Sequence, residues 1–365
     1  MATRITFLRT LWSAAWLCLA SAAVATPPPA RIAEEVRFEP APGILVAGTL
    51  ERPPATAADQ PLPVVVLVAG AGRWPRGGLP DLRARLLAAG IATLQFDKPG
   101  VGQSTGAFDD SLPAIARDVT GAVAFLRTRS GIDPMRIALL GHSQGAAAIP
   151  LVAAHDPAIA ALVILSGPVG PRGGLFLGIL RENLAAAGKG PAQIDRIAEA
   201  VGRWMDARST GGNAEETRRL RAAAIAAFAA AGFAGAQAEG AVAALDTKVV
   251  LSMYEASTED ALIKTRAPVL AVYGTRDPII APRFSIPAAQ LALRANRDAM
   301  VVAVPGLGHN LQRVEEGGTA EGPMTRAVSD LVSEWLQDRL RAGAVCGDLP
   351  PALTAPPPRC LAPSP

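Results

Sequence analysis

Apolar residues in this chain gather into short unbroken runs separated by amphipathic stretches, and the two kinds of segment take turns. VVVLVAG (64–70), IATLQFD (91–97), RIALLG (136–141) and AALVILSG (160–167) have the length and apolar content of strands covered on both faces. Between them lie LPDLRARLLAAG (79–90), LPAIARDVTGAVAFLRTR (112–129) and SQGAAAIPLVAA (143–154), which read as helices. Strict alternation requires crossover connections, so the pattern predicts an α/β fold with a mostly parallel sheet and helices on both faces. VRFEP (36–40) and ILVAGTL (44–50) read as an antiparallel pair that opens the same sheet.

The alternation stops at 168. From there to 266 the chain holds only Ala-rich helical segments, among them FLGILRENLAAAG (176–188), IDRIAEAVGRWMDA (194–207) and EETRRLRAAAIAAFAAAG (215–232). It resumes with PVLAVYG (268–274), a helix around 286–295, MVVAVPG (300–306) and a closing helix in MTRAVSDLVSEWLQDRLRAG (324–343). An insertion of roughly 100 residues is too long for a loop. It is expected to form a helical lid over the carboxyl edge of the strands, where open α/β sheets bind ligands. The expected organisation is a core over 36–167 and 267–342, the lid over 168–266, a Pro-rich lead-in over 26–35 and a Pro-rich tail over 343–365.

Ahead of the lead-in, Arg4 and Arg9 precede an apolar run from Leu11 to Ala20, and Ala23-Val24-Ala25 forms a small-x-small site. This is the pattern of a secretory signal peptide spanning 1–25, because the run is about half the ~20 residues that a spanning helix needs. A periplasmic or extracellular address is expected, without a stable membrane anchor. Removing that segment leaves two cysteines, Cys346 and Cys360, and an even pair in an exported chain is expected to form a disulfide pinning the tail. With 50% hydrophobic residues among 365, the chain can bury a large core. Its formal charge of +3 is small and the signs are interspersed, so no nucleic-acid partner is implied.

Gly141-His142-Ser143-Gln144-Gly145 matches G-x-S-x-G, and with 35 glycines in the chain the match alone carries little. Its context carries more. The pattern requires a strand before and a helix after, since the serine sits on a strained turn that lifts its hydroxyl out of the sheet edge. A serine hydroxyl is a weak nucleophile and needs a base within hydrogen-bond reach. The chain has three histidines. His142 adjoins the serine and is expected to point away from it around the turn, and His155 ends the following helix, which leaves His309 in VVAVPGLGHN beyond the last strand. Asp277, in VLAVYGTRDPII, follows a strand and precedes His309, giving the serine, acid, histidine order. As oxyanion donors, the backbone N–H of Gln144 and that of Ala71 in the loop after VVVLVAG are the candidates.

These motifs resemble those of the α/β-hydrolase superfamily, and within it the chain is similar to exported bacterial serine hydrolases of the serine-aminopeptidase-like and monoacylglycerol-lipase-like branch. VVLVAGAG (65–72), FDKPGVGQSTG (96–106), GHSQG (141–145), APVLAVYGTRDPII (267–280) and VPGLGHN (304–310) carry the likeness, which covers about 36–340 apart from the lid. It implies that Asp97, Gly100, Gly102 and Ser104 shape a loop beside the pocket, with Pro99 standing where an arginine is often found.

Two other classes fit poorly. Gly100-Val101-Gly102-Gln103-Ser104-Thr105-Gly106 lacks the helix that a dinucleotide loop opens, since Phe108-Asp109-Asp110 intervene, and three scattered histidines offer no metal-ligand spacing. The expectation is therefore an exported, cofactor-independent serine hydrolase acting on a small acyl substrate, with an ester as the bond cleaved. An aminopeptidase or amidase, a thioesterase, and a non-catalytic binding protein on the same fold stay open. The acidic residues Glu182, Asp195, Glu199, Asp206, Glu215 and Glu216 of the lid are the groups an aminopeptidase could use, or else they form solvated helix faces.

Overall fold

The computed structural model of the protein describes residues 31–54, 60–315 and 322–341. The expected signal peptide, the tail and the Cys346–Cys360 pair lie outside the described residues.

Eight strands form one sheet: β1 (Ile32–Ala41), β2 (Ile44–Arg52), β3 (Leu62–Val68), β4 (Ala92–Phe96), β5 (Ile132–His142), β6 (Ala161–Leu165), β7 (Val269–Gly274) and β8 (Ala299–Val304). Their spatial order is β1-β2-β4-β3-β5-β6-β7-β8. The β1–β2 and β2–β4 pairs are antiparallel, and every pair from β4 to β8 is parallel. The crossovers are α1 (Pro80–Ala88), α2 (Leu112–Arg127), α3 (Gln144–Ala153) and α10 (Pro282–Leu293), and α11 (Arg326–Arg339) closes the core.

Side-chain alternation along each strand divides the core into two layers. Val64, Val66, Ile137, Leu139, Leu162, Ile164 and Ala271 face one side, where Val119 and Val123 of α2 and Ile149 of α3 cover them. Val65, Leu67, Ala138, Leu140, Val163, Leu270 and Val272 face the other, against Leu82 and Leu86 of α1 and Val332 and Leu336 of α11. Two covered faces explain why the sequence shows unbroken apolar runs rather than alternation. Burying each large side chain stabilises the fold by about 1.5–3 kcal/mol relative to exposure.

One expected boundary moves. β1 begins at Ile32, so 32–35 belong to the sheet and not to an unstructured lead-in. The reason is β-pairing: Ile32 to Phe38 run in unbroken register against Arg52 to Val46, Glu35 faces solvent, and half-buried Glu34 on the other face pairs with Arg52 and Arg129.

Between β6 and β7 the chain forms α4 (Gly174–Ala186), α5 (Pro191–Ser209), α6 (Ala214–Ala230), α7 (Gly235–Leu245), α8 (Lys248–Glu255) and α9 (Thr258–Lys264). This helical insertion has its own core, with Trp204, Met205, Val201, Ile197 and Phe228 buried together. It is tied to the sheet at several points. The Leu112 N–H donates to Ser252 Oγ at 3.1 Å, Lys248 pairs with Asp109, and Arg283 of α10 pairs with Glu182.

Asp118 of α2 is a charged group within the packing, with one carboxyl oxygen that has no partner. Burial pushes its carboxyl up to about 6, against the pull of the Arg117 guanidinium beside it. In the folded protein the proton is then held between about pH 4 and 6, where the unfolded chain has released it, so this group lowers stability as pH rises through that window. Asp118→Asn is expected to be more stable than the native protein at pH 7 by about 1–3 kcal/mol, with the gain disappearing below about pH 4. Urea unfolding at the two pH values checks it.

Candidate active site

Sheet register aligns the carboxyl ends of five strands. Val68 lies beside Gly141, His142 beside Leu165, Leu165 beside Val272, and Gly274 beside Val304. The segments leaving these ends therefore emerge at one rim.

At the end of β5 the chain must turn from strand to helix within one residue. Ser143 does so at φ 54° and ψ −121°, outside the ordinary regions for an L-residue. Such a conformation costs on the order of 1–3 kcal/mol and is held by its surroundings. Here the Ser143 N–H donates to the Leu165 carbonyl at 2.9 Å, and the Ser143 carbonyl accepts from the N–H groups of Ala146 (3.0 Å) and Ala147 (3.2 Å). Glycine is required on both sides. A Cβ on Gly141 would stand 2.5 Å from the Ala146 nitrogen, and one on Gly145 would stand 2.5 Å from the Val68 carbonyl oxygen.

Asp277 is buried three residues past β7. Its Oδ1 accepts from the N–H groups of Ile279 at 2.8 Å and Ile280 at 2.9 Å, which aims Oδ2 outward. The loop after β8 is stitched to the loop after β7: Thr275 N–H donates to Val304 (3.1 Å) and Arg276 N–H to Leu307 (2.9 Å). Leu307 also bridges to Arg313, so the loop bearing His309 folds back on itself. A Cβ on Gly274 would lie 2.3 Å from the Leu307 carbonyl oxygen, so this approach also needs glycine.

The three side chains meet. His309 Nδ1 lies 2.8 Å from Asp277 Oδ2, and His309 Nε2 lies 2.9 Å from Ser143 Oγ. With its carboxylate neighbour accepting from Nδ1–H, the imidazole presents an unprotonated Nε2 to the serine hydroxyl, the arrangement a general base requires. Both distances are within hydrogen-bond reach.

The two expected oxyanion donors adjoin this point. Gln144 opens α3, and its N–H meets no protein acceptor among the described residues. The loop after β3 runs past the serine, since a Cβ on Gly70 would fall 3.1 Å from the Ser143 Cβ. The Ala71 N–H likewise meets no protein acceptor among the described residues, while its carbonyl accepts from the Trp74 indole N–H at 2.7 Å.

The other two histidines stay out of base range, one of them in an unforeseen position. His155 is exposed, with its ring against the Leu151 carbonyl at 2.9 Å. His142 turns toward the loop that carries His309: its Nε2 lies 3.1 Å from the His309 carbonyl, and the ring centroids are 5.0 Å apart. Burial lowers its pKa, so the ring is neutral near pH 7 and donates that hydrogen bond. Sequence reasoning separated this residue from the site; adjacency to Ser143 was the available signal.

The loop of 97–106 is built as the motif implied. Asp97 is buried and accepts from the N–H groups of Arg76 at 2.7 Å and Gln103 at 3.0 Å. A Cβ on Gly102 would sit 2.2 Å from its carboxylate, and Ser104 Oγ donates to the Asp97 carbonyl at 2.7 Å. Among the described residues no group of acidic, histidine and cysteine side chains is arranged to hold a metal. Among the same residues no helix is long and apolar enough to cross a membrane.

The family model described as the alpha/beta hydrolase family matches residues 65–317. The chain belongs to that family. This hydrolase is 30% identical over 181 residues to the thiohydrolase apmlB of Arthrinium phaeospermum, a stretch that covers 46% of this chain and 57% of that protein. The chain thus matches little more than half of that relative's length. Its backbone is similar to the esterase Pf2001 of Pyrococcus furiosus (TM-score 0.51, 14% identity, covering 84% of this chain and 90% of that one). It is similar to acetyl xylan esterase 1 of Thermoanaerobacterium sp. JW/SL YS485 to the same degree (TM-score 0.51, 13% identity, 85% and 88%). At such identities these likenesses speak to the fold.

The glycine constraint gives a direct test. Gly145→Ala forces a methyl group against the Val68 carbonyl and is expected to destabilise the protein by about 2–4 kcal/mol. A thermal melt within about 2 °C of the native protein would count against the described turn.

Proposed function

We propose that the protein is an exported serine hydrolase that cleaves carboxylic esters through an acyl-enzyme. Ser143 Oγ attacks the acyl carbon while His309 Nε2 takes its proton, and Asp277 orients the ring and stabilises the imidazolium. The backbone N–H groups of Gln144 and Ala71 receive the oxyanion. Collapse of the tetrahedral intermediate expels the alcohol, which takes the proton from His309, and a water activated by the same nitrogen then releases the acid. No cofactor enters this scheme.

The observation that carries the reading is the chain of two hydrogen bonds, at 2.9 and 2.8 Å, from the serine hydroxyl through His309 to Asp277. The helical insertion acts as a lid in this scheme. Its apolar side chains fill its own interior, so the apolar surface offered to an acyl or alkyl group is better sought in Trp74 and Ile279, which are exposed on segments adjoining Ala71 and Asp277. Export is supported by the N-terminal run over 11–20 with its small-residue site at Ala25.

A thioester is the second reading, favoured by the relative named as a thiohydrolase. An aminopeptidase is less well supported, because five of the six lid carboxylates named above are engaged elsewhere: Glu182 with Arg283, Asp195 with Arg181, Glu199 with Arg203, Asp206 with Arg172 and Glu216 with Arg219.

A panel of acyl esters, acyl thioesters and aminoacyl amides offered to the purified protein separates these classes, with ester turnover expected to dominate. A fluorophosphonate is expected to label the native protein and to leave Ser143→Ala unlabelled. Asp277→Asn is expected to lower kcat by about 10⁴-fold, and turnover within threefold of native would assign the acid elsewhere.

A further inference from the structure

Lys98 is a buried cation that the scheme above does not use. It follows β4, its side chain is almost wholly removed from solvent, and it reaches across to the loop after β3. Its ammonium donates to the Gly70 carbonyl at 2.6 Å and pairs with Asp110. The second oxygen of Asp110 accepts the Gly72 N–H at 2.7 Å. The Asp110 backbone carbonyl accepts from the side-chain amide of Gln144 at 2.7 Å. One buried ion pair thus grips the loop immediately before and immediately after Ala71 and is tied to the first residue of α3.

The geometry of the peptide bond turns this grip into an aim. In a trans peptide the carbonyl of one residue and the N–H of the next lie in one plane and point in opposite directions. The Gly70 carbonyl and the Ala71 N–H belong to the same peptide, and that peptide is trans. Fixing the carbonyl on Lys98 therefore fixes the N–H on the far side. A cation on the carbonyl oxygen also draws electron density along the amide and makes that N–H a stronger donor.

We propose that Lys98, held by Asp110, is a positioning residue for the oxyanion hole: it orients and polarises the Gly70–Ala71 peptide so that the Ala71 N–H meets the oxyanion formed at Ser143. The inference rests on the acyl-transfer reading. The arrangement also explains why a lysine is kept in a place where burial lowers its pKa and works against its charge. A lysine serving packing alone could be replaced by an apolar chain of its length, whereas one that polarises a peptide could not.

Lys98→Met keeps the stem and removes the charge, and Lys98→Gln keeps an uncharged N–H donor on a side chain one atom shorter. The rate of Ser143 labelling by a fluorophosphonate is measured for both and for the native protein, because it reports oxyanion stabilisation whatever the natural substrate. Thermal melts identify folded variants. Labelling and ester kcat are expected to fall about 100-fold in Lys98→Met and at least tenfold in Lys98→Gln, with KM within about threefold, since removing an oxyanion donor costs on the order of 10²–10³ in kcat. If the methionine variant does not fold, the glutamine variant decides. A folded variant that labels within threefold of native overturns the role of Lys98 and leaves the triad reading intact. A native protein that does not label overturns the acyl-transfer reading and this inference with it.

Discussion

The turn at Ser143 is the constraint from which the rest of the site follows. A buried strand that must become a helix within one residue has no room for side chains at the flanking positions, and Gly141 and Gly145 provide that room. The serine is held at positive φ by hydrogen bonds to both its N–H and its carbonyl, which leaves the hydroxyl as the group that projects from the rim. The strain is local and small beside the two packed layers that support it, with Leu139 and Leu140 of the preceding strand wholly buried.

Around that hydroxyl the fold assembles its partners from distant parts of the chain by aligning strand ends. Asp277 and His309 leave adjacent parallel strands, so their loops can be stitched together by backbone hydrogen bonds before either side chain is placed. Two backbone N–H groups at the turn of 279–280 occupy one oxygen of Asp277, and this leaves the other for His309. His142 adds a tie from the serine's own strand to the His309 backbone. The Lys98–Asp110 pair does comparable work for the loop of 70–72, and neighbouring Asp109 pairs with Lys248 of the insertion, so the insertion and that loop are tied to adjacent residues.

Much of this was legible in the sequence because two-sided burial leaves unbroken apolar runs that strands alone explain. The position of His309 followed from there being three histidines, one on each side of the elbow and one beyond the last strand. What could not be read has physical reasons. The start of β1 at Ile32 depends on pairing with Arg52, and a strand that opens with Glu34 and Glu35, one on each face, does not look apolar. Phe176, Leu180 and Phe228 of the insertion serve its own interior, an assignment that depends on how its helices pack and not on their apolar character alone. Asp110 was visible only as an interruption between a glycine loop and a helix. Its partner Lys98 is far from it in role and near it in space, and nothing in the spacing reveals that both close on the Ala71 peptide.

The account stands on Ser143 Oγ becoming the acyl-bearing atom when His309 accepts its proton. The most direct measurement is mass spectrometry of the protein quenched in acid during turnover of an activated ester, followed by peptide mapping. The account predicts an added acyl mass on the peptide containing Ser143, at the serine itself, and its absence from His309→Ala treated in the same way. An acyl group found on another residue, or undiminished acylation of Ser143 without His309, would contradict it.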